Sequence, residues 1–133
     1  MPRILWLLTA LCLCLTSVVY AAETFCGVGE YYAEPTETVQ KANDTALREA
    51  MRRVSEQAAV ALKSRSVAID NILTTDEVEM ATASVMRIID RKFTIDTTSE
   101  GGIKSTATII AEVDMDKAEE MANKLLAEKT KKK

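Results

Sequence analysis

Between Val39 and Lys63 the chain carries an apolar stripe that suits a helix lying against a flat neighbour. On a wheel of about 100° per residue, Val39, Ala46, Ala50, Val54 and Ala61 fall together, flanked by Leu47 and Ala58. Lys41, Arg48, Glu49, Arg52 and Glu56 occupy the opposite side. The stripe is mostly alanine, so the helix axis can come unusually close to whatever it covers. A coiled coil would want large residues along its seam. The pattern therefore implies a helix packed on a β-sheet. Pro35 punctuates the chain just before it, Thr36 reads as the cap, and Glu37 suits the positive end of the helix dipole.

The flanking segments supply the sheet. Residues 25–32, FCGVGEYY, read as a first strand whose glycines allow another element to approach closely. Residues 64–70, SRSVAID, read as a short strand. Residues 74–85 read as a short helix, with Thr74 and Glu77 spaced as a capping box. Two alternating segments follow. In 87–97, Ile89, Phe93 and Ile95 share one face and Asp90, Lys92, Thr94 and Asp96 the other. In 103–113, Ile103, Ala107, Ile109, Ala111 and Val113 alternate with Lys104, Thr106, Thr108 and Glu112. Period two with one polar face marks antiparallel strands half open to water, and SEGG at 99–102 is the hairpin turn. A last helix begins at Asp114 or Asp116 and buries Met115, Ala118, Ala122, Leu125 and Leu126. The expected fold is a two-layer α+β domain of order β-α-β-α-β-β-α. Its small mixed or antiparallel sheet carries helices on one face.

The front of the chain reads differently. Arg3 precedes an uncharged apolar run, Ile4 to Leu15, and small residues follow. A positive start, a short apolar core and a small-x-small ending describe an export signal. With Val19 and Ala21 at the small positions, cleavage leaves a mature domain of residues 22–133. An uncleaved anchor is the alternative, but a span needs about 20 apolar residues and Thr9, Thr16 and Ser17 dilute this run. Lipid attachment is not expected, because neither Leu11-Cys12-Leu13 before Cys14 nor Glu23-Thr24-Phe25 before Cys26 has the small residues it needs. The expected location is periplasmic or secreted.

Cleavage would leave Cys26 alone, either buried in its strand, the favoured reading, or available to an intermolecular bridge. The chain has no histidine, which removes the usual general base and the commonest metal ligand. Ser64, Ser66 and Ser105 thus have no imidazole to activate them. Gly27-x-Gly29 runs on into strand residues instead of opening a helix, so it reads as structural and not as a phosphate loop. Asp114-x-Asp116 and Asp76-Glu77-x-Glu79 lack the length and glycine of a calcium loop and sit where helices start. The net charge of −3 and the missing basic stripe argue against nucleic acid. The terminal lysines 131–133 suit a helix end, with an anionic lipid or cell-wall contact as the rival. Asn43-Asp44-Thr45 is a formal glycosylation acceptor and carries no weight on a helix of a bacterial-type exported chain. No catalytic, cofactor or metal residues are expected.

Taken together, GVGEYYA, TVQKANDTALREAMRRVSEQAAVAL, LTTDEVEMATASVMRIIDRKFTID and GGIKSTATIIAEVDMD resemble a family of small bacterial envelope domains. It includes the LPP-twenty lipoproteins and the N-terminal domain of the flagellar assembly protein FlgT. The resemblance implies a small sheet with packed helices and a non-catalytic, extracytoplasmic protein of the cell envelope or flagellar assembly. Its partners would be proteins of the envelope or further copies of itself. A small-ligand or cell-wall-polymer module, with a cleft near Tyr31 and Tyr32, is the alternative function. The only tryptophan, Trp6, lies in the expected leader. Protein recovered after export should show tyrosine but no tryptophan emission, and strong tryptophan emission would refute cleavage.

Overall fold

The computed structural model of the protein describes residues 22–133; the leader expected over 1–21 lies outside the described residues. Strand β1 (Ala22–Ala33) leads to the long helix α1 (Val39–Arg65), then the short helices α2 (Val67–Ile72) and α3 (Thr75–Ala83). The hairpin β2 (Met86–Thr97) and β3 (Ile103–Asp114) and the helix α4 (Met115–Lys131) complete the described chain. The three strands form one antiparallel sheet in the order β1-β3-β2. Helices pack on one face of it, so the two-layer α+β arrangement is as expected. Among the described residues no helix is long and apolar enough to cross a membrane.

The junction of the layers is the contact between β1 and α1. A Cβ built on Gly27 would lie 2.3 Å from the Ala50 carbonyl oxygen. One built on Gly29 would lie 2.1 Å from the Ala46 carbonyl oxygen and 2.4 Å from the Ala50 nitrogen. Strand glycines and helix alanines thus meet backbone to backbone, with no side chain fitting between them. A helix of 27 residues spans about 40 Å. A strand of 12 residues spans nearly the same, about 40 Å. One helix therefore covers the strand from end to end.

The buried positions of α1 include Ala42, Ala46, Ala50, Val54, Ala58 and Leu62, each four residues after the last. Steps of four drift by about 40° each around a helix. The stripe therefore starts on the sheet and winds towards α3, where Thr82 Oγ1 donates to the Ser55 carbonyl at 3.3 Å. That drift leaves Val39 exposed and Ala61 only half-buried, with Ala42 and Leu62 in the core in addition to the expected set. At the other border Ser105 Oγ donates to Asn43 Oδ1 at 2.6 Å, tying α1 to β3 through a buried hydroxyl.

Three local expectations are corrected. The segment 64–70 is not a strand: Ser64 and Arg65 end α1, and the Ser66 hydroxyl caps α2 by accepting from Ile69 N–H. Ile69 and Leu73, four apart, are both buried, which is helical and not alternating burial. The sheet consequently has three antiparallel strands. Helix α1 is capped by Thr38 and not Thr36; Glu37 sits before the cap and accepts from Glu34 N–H at 3.0 Å. In β2 a bulge falls between Ile88 and Asp90, so the extra residue, Ile89, is 52% exposed. Met86 and Ile88 face the helices ahead of the bulge, and Phe93 and Ile95 after it, opposite Ala107 and Ser105.

The remaining ends follow the sequence. Thr74 and Glu77 form the capping box, and Asp114 caps α4 by accepting from Lys117 N–H at 3.1 Å. Lys129 Nζ reaches Glu77 at 2.7 Å, clamping the end of α4 to the start of α3. Gly101, at φ 83°, supplies the left-handed turn of the hairpin. Gly29→Ala should lower stability by at least about 2 kcal/mol, because helix backbone would have to move. Urea denaturation should show this, and Ala50→Glu should act in the same direction. An unchanged midpoint in both variants would refute the contact.

Candidate interaction surface

Among the described residues, nothing covers the face of the sheet away from the helices. β1 contributes Thr24, Cys26, Val28, Glu30 and Tyr32 there, because Gly27 and Gly29 must face α1 and neighbours in a strand alternate. Across the sheet, Cys26 pairs with Ile110 and Asp90, and Val28 with Thr108 and Lys92. Val28 is 49% and Ile110 39% exposed, and with exposed Cys26 they form a small apolar centre. Threonines 94, 106 and 108 adjoin it. The rim is charged. Lys104 Nζ sits 2.9 Å from Glu30 and 5.4 Å from the Tyr32 ring centroid, and Arg87 sits 2.5 Å from Glu112. The bond to Glu30 holds the Lys104 ammonium above its ordinary pKa.

Burial of Cys26, the favoured expectation, is thus corrected: the thiol is exposed. The cause is parity. The helix demands glycine at 27 and 29, which hands Cys26 and Val28 to the open face.

The two tyrosines are separated for the same reason. Tyr32 is 63% exposed on the open face, whereas the Tyr31 hydroxyl turns to the helix side and donates to Glu37 Oε2 at 3.1 Å. They do not line one cleft. A groove of about 530 Å³ does run between the outer edge of β1 and α1, lined by Val28, Glu30, Tyr31, Arg48, Arg52 and Arg53. Two of its three arginines are matched by carboxylates within the chain, and Arg48 donates to Thr45 Oγ1 at 3.2 Å. Arg52 pairs with Glu49 at 2.5 Å and with Glu56, and Arg53 lies 3.3 Å from Glu49.

The other candidate residues have structural partners. Gly27 and Gly29 pack on α1, far from any helix N-terminus able to hold an anion. Ser64 Oγ donates to the Ala61 carbonyl, Ser66 caps α2, and Ser105 bonds Asn43. Asp116 lies 3.6 Å from Arg65, and Asp76 sits in the first turn of α3. Among the described residues no three acidic or cysteine side chains are grouped to hold a metal ion. Lysines 131–133 are exposed beyond the Lys129 clamp.

Glu37 joins the end of β1 to the start of α1. Its carboxylate is held below the ordinary value, first by Lys41 at 2.5 Å and then by the Glu34 N–H. The same carboxylate raises the Tyr31 phenol by accepting its hydrogen bond. A carboxylate depressed in the folded state stabilises the fold above its unfolded pKa, and that contribution is lost as pH falls through the folded value. Glu37→Gln should therefore flatten the acid limb of stability below about pH 4.5. It should also bring Tyr31 ionisation back down in a spectrophotometric titration. An unaltered tyrosine titration would refute this network.

No known protein-family model matches the chain, and no curated protein matches it significantly.

Proposed function

We propose that this is an exported, non-catalytic binding domain of the bacterial cell envelope that acts through protein–protein contact on its open sheet face. The observation carrying this reading is the apolar centre Cys26, Val28 and Ile110, exposed inside a rim of ion pairs and threonines. An apolar centre with a polar rim is the anatomy of a protein interface. The resemblance to the LPP-twenty and FlgT N-terminal domains supports an envelope or flagellar-assembly setting, and the leader-like residues 1–21 support export.

The face measures about 550 Å² from its strand length and width, less than the roughly 800 Å² that each side of a standard interface buries. Contact through this face alone is therefore of the weak, exchangeable kind. A small-ligand role for the groove beside Tyr31 is less favoured, because Glu49 and Glu56 already engage Arg52 and Arg53 and Glu37 engages the phenol.

A photo-crosslinking residue at position 28 should give discrete protein adducts in intact cells, and the same residue at exposed Asn123 on α4 should not. Adducts equal at both positions, or absent from position 28, would overturn the reading.

A further inference from the structure

Among the described residues the outer edge of β2 has no partner strand, and its chemistry is complementary to itself. Thr98 N–H donates to the Gly102 carbonyl at 2.8 Å, extending the β2–β3 ladder in which Lys92 faces Thr108 and Asp96 faces Lys104. Even-numbered residues of this stretch therefore bond β3. The backbone N–H and C=O groups of Arg91, Phe93, Ile95 and Thr97 point outward from the sheet.

The helical layer lies mainly over β1 and β3, and Met86, Ile88 and Phe93 of β2 reach the core only in part. Phe93 is accordingly only half-buried, and Ile95 is 39% exposed on the helix-facing side. The other edge of the sheet differs. On β1, Gln57 Nε2 donates to the outward Cys26 carbonyl at 2.9 Å, and an Arg65–Glu23 ion pair closes the end.

We infer that β2 pairs with β2 of a second copy, antiparallel about a twofold axis at Thr94, making one continuous six-stranded sheet. This register sets Phe93 against the second copy's Ile95 and Ile95 against its Phe93, on the helix side, where both are only partly covered. On the open face it sets Lys92 against the second copy's Asp96, twice by symmetry. The two adjacent registers match no opposite charges: centring on Ile95 sets Lys92 against Thr98 and Asp96 against Thr94. Centring on Arg91 or Lys92 opposes like cations, and centring on Phe93 opposes Asp90 to Asp96.

Parity agrees as well. In the chosen register Phe93 and Ile95 are the hydrogen-bonded pair, and both present outward backbone groups. The bulge at Ile89 limits the pairing to the regular stretch between it and the hairpin turn. A twofold axis normal to the sheet keeps both helical layers on one side, so the two open faces become one surface of about 1,100 Å². The inference is independent of what binds that surface: crosslinks from position 28 could form with a monomer, and pairing could occur with no other partner.

Sedimentation of the full, purified protein from about 1 µM to 1 mM should show a monomer–dimer equilibrium. Ile95→Pro removes an outward N–H, leaves the β3 ladder intact and should weaken the dimer at least about tenfold. Lys92→Asp should weaken it too, and adding Asp96→Lys should restore it. Thr94→Cys, in a Cys26→Ser background, places two thiols across the axis with Cα atoms about 4.5 Å apart. Oxidation with copper phenanthroline should link this variant into covalent dimers. Circular dichroism identifies any variant that fails to fold, and the cysteine variant tests the register without disturbing a bond. A wild-type monomer throughout the range would overturn the inference. So would a dimer indifferent to Ile95→Pro and unlinked at position 94, since it would form through another surface.

Discussion

The fold turns on the absence of side chains at one crossing. Gly27 and Gly29 in the strand and Ala46 and Ala50 in the helix leave the two backbones in direct contact. Dispersion contacts fall off steeply with distance, so close approach recovers attraction that alanine and glycine could not supply through bulk. The same closeness makes the contact intolerant: a single added carbon must displace helix backbone, which is itself fixed by its hydrogen bonds. Among the described residues, more than half of the buried apolar ones are alanines, and Leu62, Ile69, Val78, Ile109, Val113 and Met115 are among the largest fully buried apolar side chains of the rest.

That crossing also decides what remains uncovered. A helix seated on β1 and reaching only β3 cannot extend over a third strand. β2 is therefore held by its hairpin partner and by one apolar edge, and its charges, Asp90, Arg91, Lys92 and Asp96, keep it in water. Charges on an edge strand usually discourage pairing with other chains. On the open face Asp90, Lys92 and Asp96 alternate in sign, so registers that oppose like charges are discouraged and one matches Lys92 to Asp96 twice. Discrimination among registers by unlike and like charges costs no buried ion, because Lys92 and Asp96 are both exposed.

Much of this is legible in the sequence. Alanine spacing fixes a closely packed helix, period two gives the hairpin to within a residue of its ends, and the Thr74–Glu77 box locates α3. What escaped reading had specific causes. A stripe that advances by four winds around the helix, so one fixed face includes exposed Val39 and leaves out buried Ala42. One inserted residue at Ile89 reversed the phase of a strand whose two ends each alternate cleanly. The segment 64–70 has β-branched residues and apparent alternation, but the Ser66 cap and the burial of Ile69 with Leu73 override so weak a local preference. The open-face position of Cys26 was readable in principle. Once glycine is assigned to the helix contact, its neighbours have only one direction left.

The two edges of the sheet show how little separates a closed surface from an open one. Each is a strand of 12 residues with alternate backbone groups turned outward. On β1 the helix that covers the strand also overhangs it, so Gln57 can reach the Cys26 carbonyl and Arg65 can reach Glu23. Among the described residues nothing overhangs β2 in the same way, because the helix lies two strand spacings, about 10 Å, towards the other border. An amide side chain extends only about half that distance. The unequal seating of one helix thus satisfies one edge from within the chain and leaves the other to be satisfied by water or by another strand. Phe93 and Ile95, apolar on that bare edge, favour the strand.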